Sequence, residues 1–175
     1  MMQAPAEDAE QPLLEGLPPL VSPATAVLVL GSFPSARSLA ARQYYAHPHN
    51  QFWKILQAIW PRKPLPAGAD SYQERSEWLL ERGLGLWDVY ARCRRRGSLD
   101  AAIRDAEPND IAGLRLPRLA AVAHNGGESH RHARRMAALG VPAYRLPSTS
   151  PAHAAMQLED KVGAWREVMA RHGLV

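Results

Sequence analysis

Side chains able to hydrogen-bond a ligand or hold an anion recur at the ends of four short apolar runs. Ala26-Val-Leu-Val-Leu30 ends in Gly31-Ser-Phe-Pro34, and Leu84-Gly-Leu-Trp-Asp-Val89 carries Asp88 near its end. Leu119-Ala-Ala-Val-Ala123 runs into His124-Asn125-Gly126, and Val141-Pro-Ala-Tyr-Arg-Leu146 into Pro147-Ser-Thr-Ser-Pro151 and His153. A glycine lets the backbone approach a ligand closely and Pro34 fixes the turn, so the amides of Gly31, Ser32 and Phe33 could grip a polar group. The Asn50 side chain can accept from a water and donate to a ligand, or it can cap the helix that follows. Asp88 accepts an N–H but donates only when protonated; its other reading is a cap or an ion pair with Arg92-Cys-Arg-Arg-Arg96. The Asn125 amide offers donor and acceptor side by side, or it closes a turn. Ser148, Thr149 and Ser150 supply small hydroxyls suited to phosphate, Pro151 stiffens the loop, and His153 adds a charge-assisted contact or is structural. In the basic run, Arg94 and Arg95 are the residues expected to track phosphates, whereas Arg131, Arg134 and Arg135 read as a solvated helix face.

The elements that hold these residues read as an alternation of strands and helices. The four apolar runs have the length of buried strands, and between them lie helix-like stretches at 51–60, 72–82, 99–106, 128–139 and 158–172. Such alternation predicts an α/β fold, three layers α/β/α around a central four-stranded, mainly parallel sheet. Ligands bind such sheets outside the carboxyl ends of the strands, so the four polar loops should converge on one site. Residues 1–23, rich in Pro and acidic side chains, are set apart as a flexible tail whose removal up to residue 20 should leave activity intact. Residues 24–175 form the single expected domain.

The ordered motifs Gly31-Ser-Phe-Pro-Ser35, Ser38-Leu39, Tyr44-Tyr45, His47-Pro48, Asn50-Gln-Phe-Trp53, Gly85-Leu-Trp-Asp-Val89, Gly97-Ser-Leu-Asp100, Asn125-Gly126 and Ser148-Thr-Ser-Pro151 resemble those of the uracil-DNA glycosylase superfamily. Within it the likeness is to the hypoxanthine-DNA glycosylase branch, often called family 6, over roughly residues 26–170. The resemblance implies a monofunctional enzyme that flips a deaminated base out of double-stranded DNA and cuts its glycosidic bond, with no metal or cofactor. It implies Asn50 as the main catalytic residue, Phe52 as the aromatic stacked on the extruded base, and the loop 147–153 as the grip on phosphates. Without the motif, Phe52 would be read as core beside Leu56. Many relatives carry an Asp or Asn where this chain has Phe33, which shifts the catalytic burden to Asn50. Uracil enzymes place a base-reading Asn where Asp88 stands.

Composition is consistent with this reading and narrows it. A formal charge of +4 over 175 residues conceals Glu7, Asp8, Glu10 and Glu15 with no Lys or Arg in residues 1–20, leaving +8 on the rest. A basic body attracts nucleic acid. The single Cys93 forms no internal disulfide and has no evident base partner, and no apolar run is long enough to span a bilayer, so a cytoplasmic monomer acting on chromosomal DNA is expected. Lys54, Lys63 and Lys161 lie outside the four loops, which argues against a Schiff-base mechanism with strand cleavage. Three alternatives stay open at this point: a uracil or mismatch-specific glycosylase, a non-catalytic module that binds damaged DNA, and a hydrolase of free nucleosides.

Overall fold

The computed structural model describes residues 11–68 and 70–175. Its centre is a parallel sheet of β2 (Val27–Gly31), β3 (Leu84–Asp88), β6 (Ala121–Asn125) and β7 (Ala143–Leu146), in the order β3-β2-β6-β7. The α/β class and the four parallel strands match the reading of the sequence. β2 is buried along its whole length because both faces are covered. Val27 and Val29 point to one side and Leu28 and Leu30 to the other, so alternate residues of one strand feed two separate cores.

Three helices cover the first face: α2 (Phe52–Ile59), α3 (Tyr72–Glu81) and α5 (Leu158–Arg171). α2 buries Phe52, Ile55, Leu56 and Ile59, the spacing of one helical stripe. α1 (Ala36–Ala41) is a single short helix capped by the Ser35 hydroxyl, which accepts from the Ser38 N–H at 3.1 Å. The second face is covered differently. The short α4 (Gly127–His130), a 3-10 run over Ala133–Leu139 and a small antiparallel sheet of β1 (Leu14–Glu15), β4 (Tyr90–Arg94) and β5 (Arg104–Pro108) take the place of long helices there.

Two helix expectations fail for physical reasons. The stretch 99–106 has apolar residues at helical spacing, yet it forms a 3-10 turn at Asp100–Ala102 and then β5, because the open edge of β4 captures it. The stretch 128–139 breaks at His132, whose Nε2 meets the Tyr90 hydroxyl at 2.8 Å, and continues as 3-10 turns.

The expectation of a flexible tail over 1–23 needs correction for its described part. Leu14 and Glu15 pair with Cys93 and Arg92, and Leu20 exchanges backbone hydrogen bonds with Leu86. Leu17 is buried in the first core, and its carbonyl accepts from the Trp87 indole at 3.1 Å. The Tyr44 hydroxyl donates to the Pro18 carbonyl at 2.7 Å. Prolines suit this segment because it crosses the molecule as an extended strap with few ladder bonds. Residues 1–10 lie outside the described residues. Burial of Leu17 alone contributes about 2 kcal/mol. A chain lacking residues 1–20 should therefore melt roughly 4–8 °C below the full chain by circular dichroism, and an unchanged melting temperature would show that the strap carries no stability.

Candidate active site

The carboxyl ends of β2, β3, β6 and β7 open onto one cavity of about 410 Å³. Gly31 to Ser35, Asp88, Asn125 to Glu128 and Ser148 to Ser150 line it, and Tyr44, Tyr45, His47, Asn50, His153 and the turn 98–101 close its sides. The four loops do converge, as expected of an open parallel sheet.

Asn50 stands at the entrance to α2. Its Oδ1 accepts from the Phe52 N–H at 2.9 Å, a local turn just ahead of the N-cap Gln51, while among the described residues Nδ2 meets no acceptor. This bond and ligand contact are compatible: one end of the amide fixes the orientation of the other. Asp88 ends β3 at 5% exposure, and its Oδ2 has no hydrogen-bond partner among the described residues. Burial, then the neighbouring Asp100, push its carboxyl up to about 7, against a partial opposing pull from Arg95. Gly31 makes room for this group, since a Cβ there would stand 2.5 Å from the Asp88 Oδ1.

Several expected ligand contacts are instead supports. Phe52 is fully buried and does not line the cavity; it lies under Tyr45, with ring centroids 4.0 Å apart and planes 27° apart, and packs edge-on against Trp165. The aromatic wall is Tyr45, held at φ 56°, a costly backbone conformation for a non-glycine residue and a frequent mark of functional sites. Asn125 faces the cavity but spends its amide internally. Nδ2 donates to the Tyr45 hydroxyl at 3.2 Å and to Thr149 Oγ1 at 3.0 Å, and Oδ1 accepts from the Thr149 N–H at 3.0 Å. It braces Tyr45 and the loop rather than presenting a free edge to a base. Phe33 turns its ring into the second core, leaving only its backbone for a ligand.

Arg94 and Arg95, the two residues of the basic run expected to track phosphates, do not reach outward. Arg95 is 5% exposed, lies over the Phe33 ring, and donates to the carbonyls of Pro34 and Gly97. It stiffens the Gly31–Pro34 turn and cannot reach a phosphate from there. Arg94 pairs with Asp105 and donates to the Gln11 carbonyl, and Arg92 pairs with Glu15 and Glu107. Strand alternation explains the split: Cys93 and Arg95 face inward while their neighbours meet carboxylates brought by β1 and β5.

Other residues at the site were given no binding or catalytic role from sequence, although Asp100 stands in the motif Gly97-Ser-Leu-Asp100. Asp100 accepts from the Ser32 hydroxyl at 2.5 Å and so ties the 98–101 turn to the glycine loop. Arg145 lines the cavity rim against Gly127 and is a cation suited to a phosphate. Its position on an edge strand before the loop carries no motif that would mark it. Lys161 is fully buried on α5, where its ammonium donates to Gln51 Oε1 at 3.0 Å and to the His153 carbonyl at 2.8 Å. Burial lowers its pKa. Ser148 accepts from the Ser150 N–H at 3.1 Å and Ser150 caps the 3-10 turn holding His153, so this loop is preformed. Among the described residues no group of three His, Cys, Asp or Glu side chains could hold a metal ion, and no helix is long and apolar enough to cross a membrane. Replacing Lys161 by Met leaves Gln51 Oε1 and the His153 carbonyl unpaired at about 1–3 kcal/mol each. Lys161→Met should lower the melting temperature by at least several degrees, and a variant as stable as the parent would refute the clamp.

Comparison with known proteins agrees with this geometry. A profile of the uracil DNA glycosylase superfamily matches residues 18–169. A protein of Methanosarcina barkeri named hypoxanthine DNA glycosylase is 34% identical over 163 residues, covering 90% of this chain and 98% of its own length. A protein of the same name from Methanosarcina acetivorans is 32% identical over 160 residues with the same coverage. A solution NMR structure from M. acetivorans, provisionally described as a uracil DNA glycosylase, superposes with a TM-score of 0.79 at 30% identity, over 91% of this chain and 98% of that one. Fold, cavity and sequence agree: the chain belongs to the uracil DNA glycosylase superfamily.

Proposed function

We propose that this DNA N-glycosylase removes hypoxanthine from duplex DNA without cutting the backbone. The observation that carries the reading is the cavity itself, with the Tyr45 ring on one wall, the unpaired Asp88 carboxyl at the end of β3 and the Asn50 amide at the entrance of α2. A base turned out of the stack needs an aromatic face and polar groups for its edge, and the departing base needs a hydrogen bond as charge develops. Both curated relatives are named for hypoxanthine, which supports the choice of base. Tyr45 takes the stacking role that sequence assigned to Phe52, and Phe52 supports it from beneath. Asn50 Nδ2 and the backbone of Gly31 to Phe33 bind base or water, while Ser148, Ser150, His153 and Arg145 grip the phosphates around the extruded nucleotide.

No lysine lines this cavity, and the buried Lys161 is committed to Gln51 and His153, which favours a monofunctional reaction. One subunit supplies every group named, so the enzyme is proposed to act as a monomer on chromosomal DNA in the cytoplasm.

Incubating the protein with duplexes carrying one hypoxanthine or one uracil, followed by alkali, tests the reading. Breaks at hypoxanthine are expected. Breaks at uracil alone would transfer the enzyme to uracil repair, and binding without release would leave a damage-binding module. Asn50→Ala should slow base release roughly 10²- to 10³-fold in single-turnover assays; release at the parental rate would remove Asn50 from the mechanism.

A further inference from the structure

Asp88 is the one buried carboxyl of the cavity with no partner of its own. Among the described residues its Oδ2 meets no donor and no salt bridge reaches it, and it is almost closed to water, yet it forms part of the cavity wall. The fold keeps a space for it by placing Gly31, whose Cβ would collide with the carboxyl, directly beside it in the parallel ladder. An ionised carboxylate without a donor is disfavoured in such a place, so Asp88 keeps its proton well above the ordinary carboxylate range, up to about 7. The groups that face it are Asp100 from the turn after β4, Arg95 at the end of that strand, and the phenols of Tyr44 and Tyr45. Burial and then Asp100 oppose ionisation, and Arg95, which donates to the Pro34 and Gly97 carbonyls, favours it to a smaller extent.

We infer that Asp88 is the general acid of the reaction and gives its carboxyl proton to the departing purine. The inference rests on the proposed hypoxanthine activity. As the C1′–N9 bond breaks, its electron pair leaves with the base, and the Asp88 proton moves to a ring nitrogen of the purine that carries none. Neutral hypoxanthine departs, a water oxygen bonds to C1′, and the proton that water releases passes to solvent or restores the Asp88 carboxyl. A purine offers unprotonated ring nitrogens that uracil lacks, so an acid at this position suits a purine. A carboxyl in place of an amide is then a matter of chemistry as well as of base reading.

Single-turnover release of hypoxanthine measured from pH 5 to 9 tests this. The rate of the unaltered protein should be level at low pH and fall as pH rises through about 7, where Asp88 loses its proton. Asp100→Asn should move the inflection to lower pH by removing the charge that opposes ionisation. Asp88→Asn, which keeps the shape, should lose the inflection and roughly 10²- to 10⁴-fold of the rate. A rate that climbs with pH would make Asp88 a base and overturn the inference, as would a parental rate in Asp88→Asn. Because the profiles of the unaltered protein and of Asp100→Asn stand alone, a misfolded Asp88→Asn leaves the test intact. No release of hypoxanthine at any pH would overturn the proposed activity as well.

Discussion

The hydrogen bonds that dock the 147–151 loop onto the entrance of α2 hold the site in shape. The Gln51 N–H donates to the Thr149 carbonyl at 2.9 Å, the Asn125 side chain satisfies both the N–H and the hydroxyl of Thr149, and Lys161 joins Gln51 to the backbone at His153. Thr149 and Lys161 at the centre of this network are fully buried, where an unpaired donor or acceptor is expensive, so each bond fixes the next. The network ties β6, the loop after β7, α2 and α5 into one unit and extends through Asn125 to the Tyr45 hydroxyl. Without it the Asn50 amide, the Tyr45 ring and the serine loop would be separate surface features.

On that frame the protein tolerates two local costs. Tyr45 keeps a left-handed backbone, stabilised by its stack on Phe52 and the bond from Asn125. Asp88 keeps an unpaired carboxyl. The unfolded chain ionises this residue near its ordinary value of 3.8 and the folded chain only near 7, so across that interval rising pH takes stability from the fold. Both residues line the cavity; elsewhere the fold also buries His124 with its Nε2 unpaired among the described residues and holds Arg42, Asp105 and Arg115 at positive φ.

Much of this was legible in the sequence. Four apolar runs ending in polar loops gave the strands and the convergence of the loops, and motif order gave the superfamily. What stayed hidden depends on the third dimension. The capture of 104–108 by the edge of β4 overrides a helical spacing, and the proline-rich strap hides its role because Leu17 and the carbonyls it brings match no periodic pattern. Asn125 lines the cavity and Phe52 lies beneath Tyr45, a difference in layer that cannot be read from spacing. Arg94 and Arg95 read as surface charge because a strand with alternating faces looks, in one dimension, like a basic run.

The most direct measurement is the crystal structure of the Asn50→Ala variant bound to a duplex with a single hypoxanthine. The expected result is the hypoxanthine turned out of the helix, lying against the Tyr45 ring with an edge at hydrogen-bonding distance from Asp88, and flanking phosphates at the 148–153 loop. A base still stacked in the duplex, or one seated outside the cavity at the strand ends, would contradict it.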